Sequence, residues 1–162
     1  MDRITRCRRA LAACVLAVSL AAVPLPGFAA PTEFEPPAPK VDPDFAAGKS
    51  AIEAKQWQVA IKSFTSAVQH DGRNADSENY LGYAYRNAGD LDAAFKHYER
   101  ALQLNPRHRG AHEYMGEAYL LARQVDKAEE HLAQLKSICR SSCEEFDDLA
   151  KSIARYRAQG SK

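Results

Sequence analysis

The chain has 162 residues, room for one ordinary domain, with 22 basic and 21 acidic side chains for a formal charge of +1. Charged residues make up 27% and apolar ones 46%, the balance of a soluble globular chain. Near-neutrality excludes a strong global field that would point to nucleic acid or an acidic membrane.

Residues 1–29 read as a secretory signal peptide. Arg3, Arg6, Arg8 and Arg9 precede the apolar run Ala10 to Val23, and Pro24, Pro26 and Gly27 follow. That run is too short to span a bilayer. Gly27 and Ala29 supply the small residues cleavage needs, leaving Ala30 first. A cut after Ala30 ranks second, because it places Phe28 in a small-residue site. An uncleaved anchor and a lipid-bearing Cys14 are the competing readings, the latter opposed by the short apolar stretch before it. Export implies a periplasmic protein that meets the membrane only in transit.

Cleavage removes four arginines and one acid, Asp2, so the remainder holds 18 basic and 20 acidic residues. No excess positive charge is left for phosphates, and no nucleic-acid partner is expected. Cys7 and Cys14 leave with the segment. Cys139 and Cys143 remain, an even pair in an exported chain, which reads as a disulfide. Residues 30–43 (APTEFEPPAPKVDP) contain five prolines and little hydrophobic periodicity, and are expected to form a linker.

From Asp44 to about residue 140 the chain repeats itself in blocks 41–74, 75–108 and 109–140. Gly48, Gly82 and Gly116 are 34 apart, as are Ala60, Ala94 and Ala128. Trp57, Leu91 and Val125 keep the same spacing, and so do Phe64, Tyr98 and Leu132. Ala67, Ala101 and Leu135 form another such column, and Ala51, Tyr85 and Tyr119 the last. Each block predicts two helices. In the middle one, Tyr80, Leu81, Ala84 and Tyr85 form an apolar stripe. Gly89 suits a left-handed C-terminal position and Asp90 the next N-cap, and Asn105-Pro106 stops the second helix. The small columns mark close approach of paired helices, and such blocks must stack to bury their faces.

The block LGYAYRNAGDLDAAFKHYERALQLNP resembles a tetratricopeptide repeat, matching at Leu81, Gly82, Tyr85, Ala94, Tyr98, Ala101 and Pro106. Block three matches through Met115, Gly116, Tyr119 and Ala128, with Leu135 where a small residue is usual. Block one is more degenerate, and Glu78 replaces an aromatic in block two. The resemblance implies an all-α fold: a right-handed α-α superhelical solenoid of helix-turn-helix repeats. A further helix over 143–158 is expected to cap it. Ser142 with Glu145 would form its capping box, and Phe146, Leu149, Ile153 and Tyr156 its apolar face.

No phosphate loop, nucleophile elbow or HExxH motif is present, so no enzyme activity, cofactor, metal or small-molecule substrate is expected. His108, His112 and Glu113 could be weighed as metal ligands, but a structural or solvated role is expected. The Arg107-His108-Arg109 cluster reads as a solvated turn. Cys139 and Cys143 lack CxxC and CxxCH spacing; a structural staple is expected, with a thiol-redox or metal-binding factor as the alternative function.

The resemblance implies a protein or peptide partner held on a concave face made by the first helix of each repeat. Transferred to this chain, that face carries Lys49 and Ile52, then Asn79, Tyr83, Arg86 and Asn87, then Glu113, Glu117 and Leu120. Tyr80 and Tyr114 would lie on its edge. A subclass of the family clamps a C-terminal carboxylate with Lys, Asn and Arg. Here those positions include Phe45, Tyr80, Gly110 and Tyr114, which disfavours such a clamp. The implied function is an adaptor or assembly factor in the bacterial cell envelope.

Overall fold

The computed structural model describes residues 42–160. The expected signal peptide and all of the expected linker but Asp42 and Pro43 lie outside the described residues. Asp42 caps the first helix and Pro43 begins it. The Asp42 carboxylate accepts the backbone N–H of Asp44 at 2.8 Å and of Phe45 at 2.9 Å. Pro43 occupies the first turn, where no N–H is needed.

Seven α-helices and no strand occur among the described residues. They are α1 Pro43–Glu53, α2 Trp57–His70, α3 Ala75–Ala88, α4 Leu91–Leu104, α5 Arg109–Leu121, α6 Val125–Cys139 and α7 Glu144–Gly160. The turn inside each block closes identically. Gln56, Asp90 and Gln124 donate their N–H groups to Ala51, Tyr85 and Tyr119 at 2.8, 3.0 and 2.8 Å. This closure demands a left-handed residue just before it. Lys55, Gly89 and Arg123 fill that place with φ of 55°, 91° and 58°, a 34-residue column that side-chain chemistry hides. Asp90 then caps α4 by accepting the N–H of Ala93 at 3.0 Å.

Between blocks the turn is held by a side-chain oxygen. Asp71 accepts from Arg73 N–H and Asn105 from Arg107 N–H, both at 3.0 Å. Cys139 stands in the next position of this column and has no such acceptor. There Cys139 and Cys143 meet in disulfide geometry, their Cα atoms 5.8 Å apart. The expected capping box at Ser142 is not formed. The carbonyl of Cys143 accepts the N–H of Asp147 at 3.1 Å, so the helix starts one residue later. The Ser142 hydroxyl donates to Asp147 instead, and Glu145 pairs with Arg109 at 3.4 Å.

The close-approach column is real at all three positions. A Cβ on Gly48 would stand 2.7 Å from the Phe64 ring, and one on Gly82 equally near the Tyr98 ring. Both rings are fully buried. At Gly116 the neighbour is Leu149 of α7, 2.6 Å from such a Cβ, rather than Leu132 of α6. The helix α7 keeps the repeat register: Leu81, Met115 and Leu149 are buried at one spacing, and Ile153 follows Tyr85 and Tyr119. It occupies the place of another first helix, with Phe146 and Tyr156 packed beside buried Leu149 and Ile153 as expected.

Candidate protein-binding groove

The first helices and α7 carry one continuous set of aromatic and charged side chains. Tyr83 of α3 and Tyr114 of α5 meet with ring centroids 4.8 Å apart, and Trp57 stands edge-on to Tyr83 at 6.3 Å. The Arg86 guanidinium lies over both tyrosines, 5.1 and 5.5 Å from their centroids. It donates to Glu117 in an ion pair whose arginine side chain is only 10% exposed. The second Glu117 oxygen accepts the Ser152 hydroxyl at 3.1 Å, which brings α7 into the same network. Below it, the Tyr98 hydroxyl is buried without a partner, and burial pushes its pKa far upward.

Beside this network a depression of about 310 Å³ opens between α3, α5 and α7. Arg86, Glu117 and Leu120 form one side, and Ser152, Arg155, Tyr156 and Gln159 the other. Leu121 lines it while 61% exposed, against Val59 at 50% on α2. These two are the exposed large apolar residues among the described ones.

Of the residues expected on this face, Tyr83, Arg86, Glu117 and Leu120 come together here. Leu120 is mostly buried in the core with α7, so its neighbour Leu121 supplies the open apolar surface. Asn79 departs from expectation: it is 2% exposed, with Gly110 closing over its amide and its Oδ1 unpaired. Ile52 packs on the first core. Lys49 donates to the Tyr80 hydroxyl at 2.8 Å, and Tyr80 itself is half-buried against Phe45 and Phe64. Asn87 is exposed and donates to the Tyr83 carbonyl at 2.8 Å. Glu113 is half-buried among Glu117, Asp148 and Glu145, and burial with those carboxylates raises its pKa to about 8.

The contribution of α7 was missed in sequence because that helix was read only as a cap. Extending the 34-residue columns finds it: Tyr80 and Tyr114 lead to Asp148, Glu117 to Lys151, and Leu121 to Arg155.

The histidines hold turns and seams. His108 caps α5, its Nδ1 accepting the Ala111 N–H at 3.1 Å while Nε2–H donates to Asp76 at 2.9 Å. His112 Nε2–H donates to the Pro106 carbonyl at 3.1 Å, which leaves its Nδ1 to accept from His131 Nδ1–H at 2.9 Å. His97 meets buried Glu78 at 2.7 Å and stacks on Tyr85, which accommodates the acid found where an aromatic is usual. Arg107 reaches the Ile138 carbonyl at 3.4 Å. Asp42, Asp44 and His70 also cluster, with Ser66 donating to Asp44 at 2.6 Å.

A family model described as Tetratricopeptide repeat matches residues 75–108. Residues 75–108 are a tetratricopeptide repeat. Among solved structures, the Arabidopsis OM64 TPR domain superposes with a TM-score of 0.63 at 17% identity, covering 70% of this chain and 93% of that one. The second TPR domain of human RPAP3, in complex with the HSP70 peptide SGPTIEEVD, gives 0.60 at 18%, covering 67% and 91%. The type III secretion translocator chaperone SycD of Yersinia enterocolitica gives 0.65 at 13%, covering 74% and 84%. These likenesses establish the all-α TPR-type solenoid fold. No match was found among curated proteins.

Proposed function

We propose that this protein is a non-enzymatic adaptor that binds a segment of another protein on the face shared by α3, α5 and α7. The observation that carries the reading is Leu121, an exposed leucine at the edge of a depression with aromatic and charged walls. Apolar area ringed by polar groups is what a peptide-binding site offers. TPR neighbours solved with a bound peptide support the same mode of action. The acidic peptide of the human neighbour would find Phe45, Tyr80, Gly110 and Tyr114 at the clamp positions here, so a different partner chemistry is implied.

The setting we propose is the bacterial periplasm, reached through the signal peptide at 1–29, where Cys139 and Cys143 would be oxidised. The cysteine pair lies at the α6–α7 turn and does not line the depression. A structural staple therefore suits it better than a thiol-redox or metal centre. The test is affinity capture from envelope extract with wild type and Leu121→Asp. Loss of the captured protein with an unchanged melting curve is expected. Equal capture by both would refute binding at this face.

A further inference from the structure

Every carboxylate around Glu113 is already engaged. Glu117 holds Arg86 of α3 and Ser152 of α7. On α7, Glu145 pairs with Arg109 of α5, and Asp148 with Lys151 at 2.9 Å. Glu113 is half-buried between them and has neither a hydrogen bond nor an ion pair among the described residues. The cation nearest in effect, Arg86, is committed to Glu117. Glu113 adjoins Tyr114, whose ring meets that of Tyr83. Arg155, at the α7 side of the depression, bonds Ser152 at 3.0 Å.

A half-buried carboxyl without a counter-ion, near three carboxylates and beside the Tyr114 ring, is complementary to a cation. An incoming anion would meet repulsion there. We infer that the groove recognises a basic side chain of its protein partner, a lysine or arginine seated on Glu113 against Tyr114. This inference rests on the protein-binding reading above and names the partner's chemistry.

Its consequence is proton release on binding. Glu113 in the free protein holds its proton up to about pH 8, whereas a bound ammonium or guanidinium favours the ionised form. Affinity therefore strengthens as pH rises toward 8, by up to about tenfold per pH unit, and flattens above it. The charged groups facing Glu113 are Arg86 from α3, Glu117 from α5, and Glu145 and Asp148 from α7. Each of these has a charged partner of its own, so Glu113 dominates the slope.

The test is a selection of displayed random dodecapeptides on the full chain, on Glu113→Gln and on Leu121→Asp. The glutamine is near-isosteric with the protonated acid, and equal melting curves would establish that it folds. We expect wild type to enrich Lys or Arg at one peptide position, and Glu113→Gln to lose that enrichment. Binding of a selected peptide should tighten from pH 6 to 8 with wild type and stay flat with the variant. Peptides lost on Leu121→Asp but without basic enrichment, or unaffected by Glu113→Gln, would overturn this inference while keeping the groove. Peptides indifferent to Leu121→Asp would overturn the groove reading and this inference with it.

Discussion

Arg86 and Glu117, 31 residues apart in sequence, join α3 to α5 through an ion pair whose guanidinium also covers Tyr83 and Tyr114. Since the arginine side chain is only 10% exposed, removing its partner strands a desolvated charge. Glu117→Ala should cost about 3 kcal/mol, read from urea denaturation. Replacing both residues by apolar ones, Arg86→Met with Glu117→Leu, should recover most of that loss. If the single substitution were silent, the pair would not carry the α3–α5 seam.

The aromatic ring over Gly82 is buried and cannot yield. Gly82→Ala should destabilise by roughly 1–3 kcal/mol through overpacking on Tyr98, despite a helix-propensity gain of about 1 kcal/mol. Gly116→Ala meets the branched end of Leu149, a side chain that can rotate, and should cost less. Thermal melts of the two variants give the ranking directly.

The left-handed column makes opposite demands on its members. Gly89→Ala should cost about 1 kcal/mol, because φ of 91° suits only glycine at no expense. Arg123→Gly should gain a few tenths of a kcal/mol, relief at φ 58° being offset by a freer unfolded chain. Chemical denaturation of both variants would show whether the shared turn geometry sets their stability.

His131 is half-buried against His112 and Tyr119, and burial followed by the His112 charge lowers its pKa to about 4. Below about 6.5 the unfolded chain therefore binds protons that the native state refuses. Stability contributed by neutral His131 is full above pH 6.5 and lost as pH falls toward 4, by roughly 2 kcal/mol. Glu113 acts in the opposite sense: its raised pKa favours the native state at low pH, and that contribution is lost as pH rises through about 8. Melting temperature against pH should lose a rise between about 4 and 6.5 in His131→Gln, and a fall between about 4.5 and 8 in Glu113→Gln.

The helix count and the buried columns were legible because a 34-residue period leaves a trace in residue size: Gly82 under Tyr98, Ala94 and Ala128 fully buried. Backbone conformation leaves no such trace, so Lys55 and Arg123 concealed a column that Gly89 alone announced. Helical phase places Asn79 on the groove, but a single helix cannot tell which polar residue a neighbour covers, and here Gly110 decides it. The groove's α7 wall, with Ser152, Arg155 and Gln159, is not legible in a helix that reads only as a cap.

The link between Cys139 and Cys143 closes a turn that other blocks hold with an Asp or Asn oxygen. Cys139→Ser with Cys143→Ser should lower stability by roughly 2 kcal/mol or less and loosen α7, leaving partner capture largely intact. Full folding with complete loss of the cellular role would favour a thiol-dependent function instead.

The most direct measurement of the central claim is site-specific photo-crosslinking in cells. A benzophenone amino acid at position 121, in the depression between α5 and α7, is compared with one at position 59 on α2. Both sites are exposed and apolar, so only their place differs. One discrete crosslinked protein from position 121 and none from position 59 is the expected result. A crosslink from position 59 alone, or the same products from both, would contradict binding on the α3–α5–α7 face.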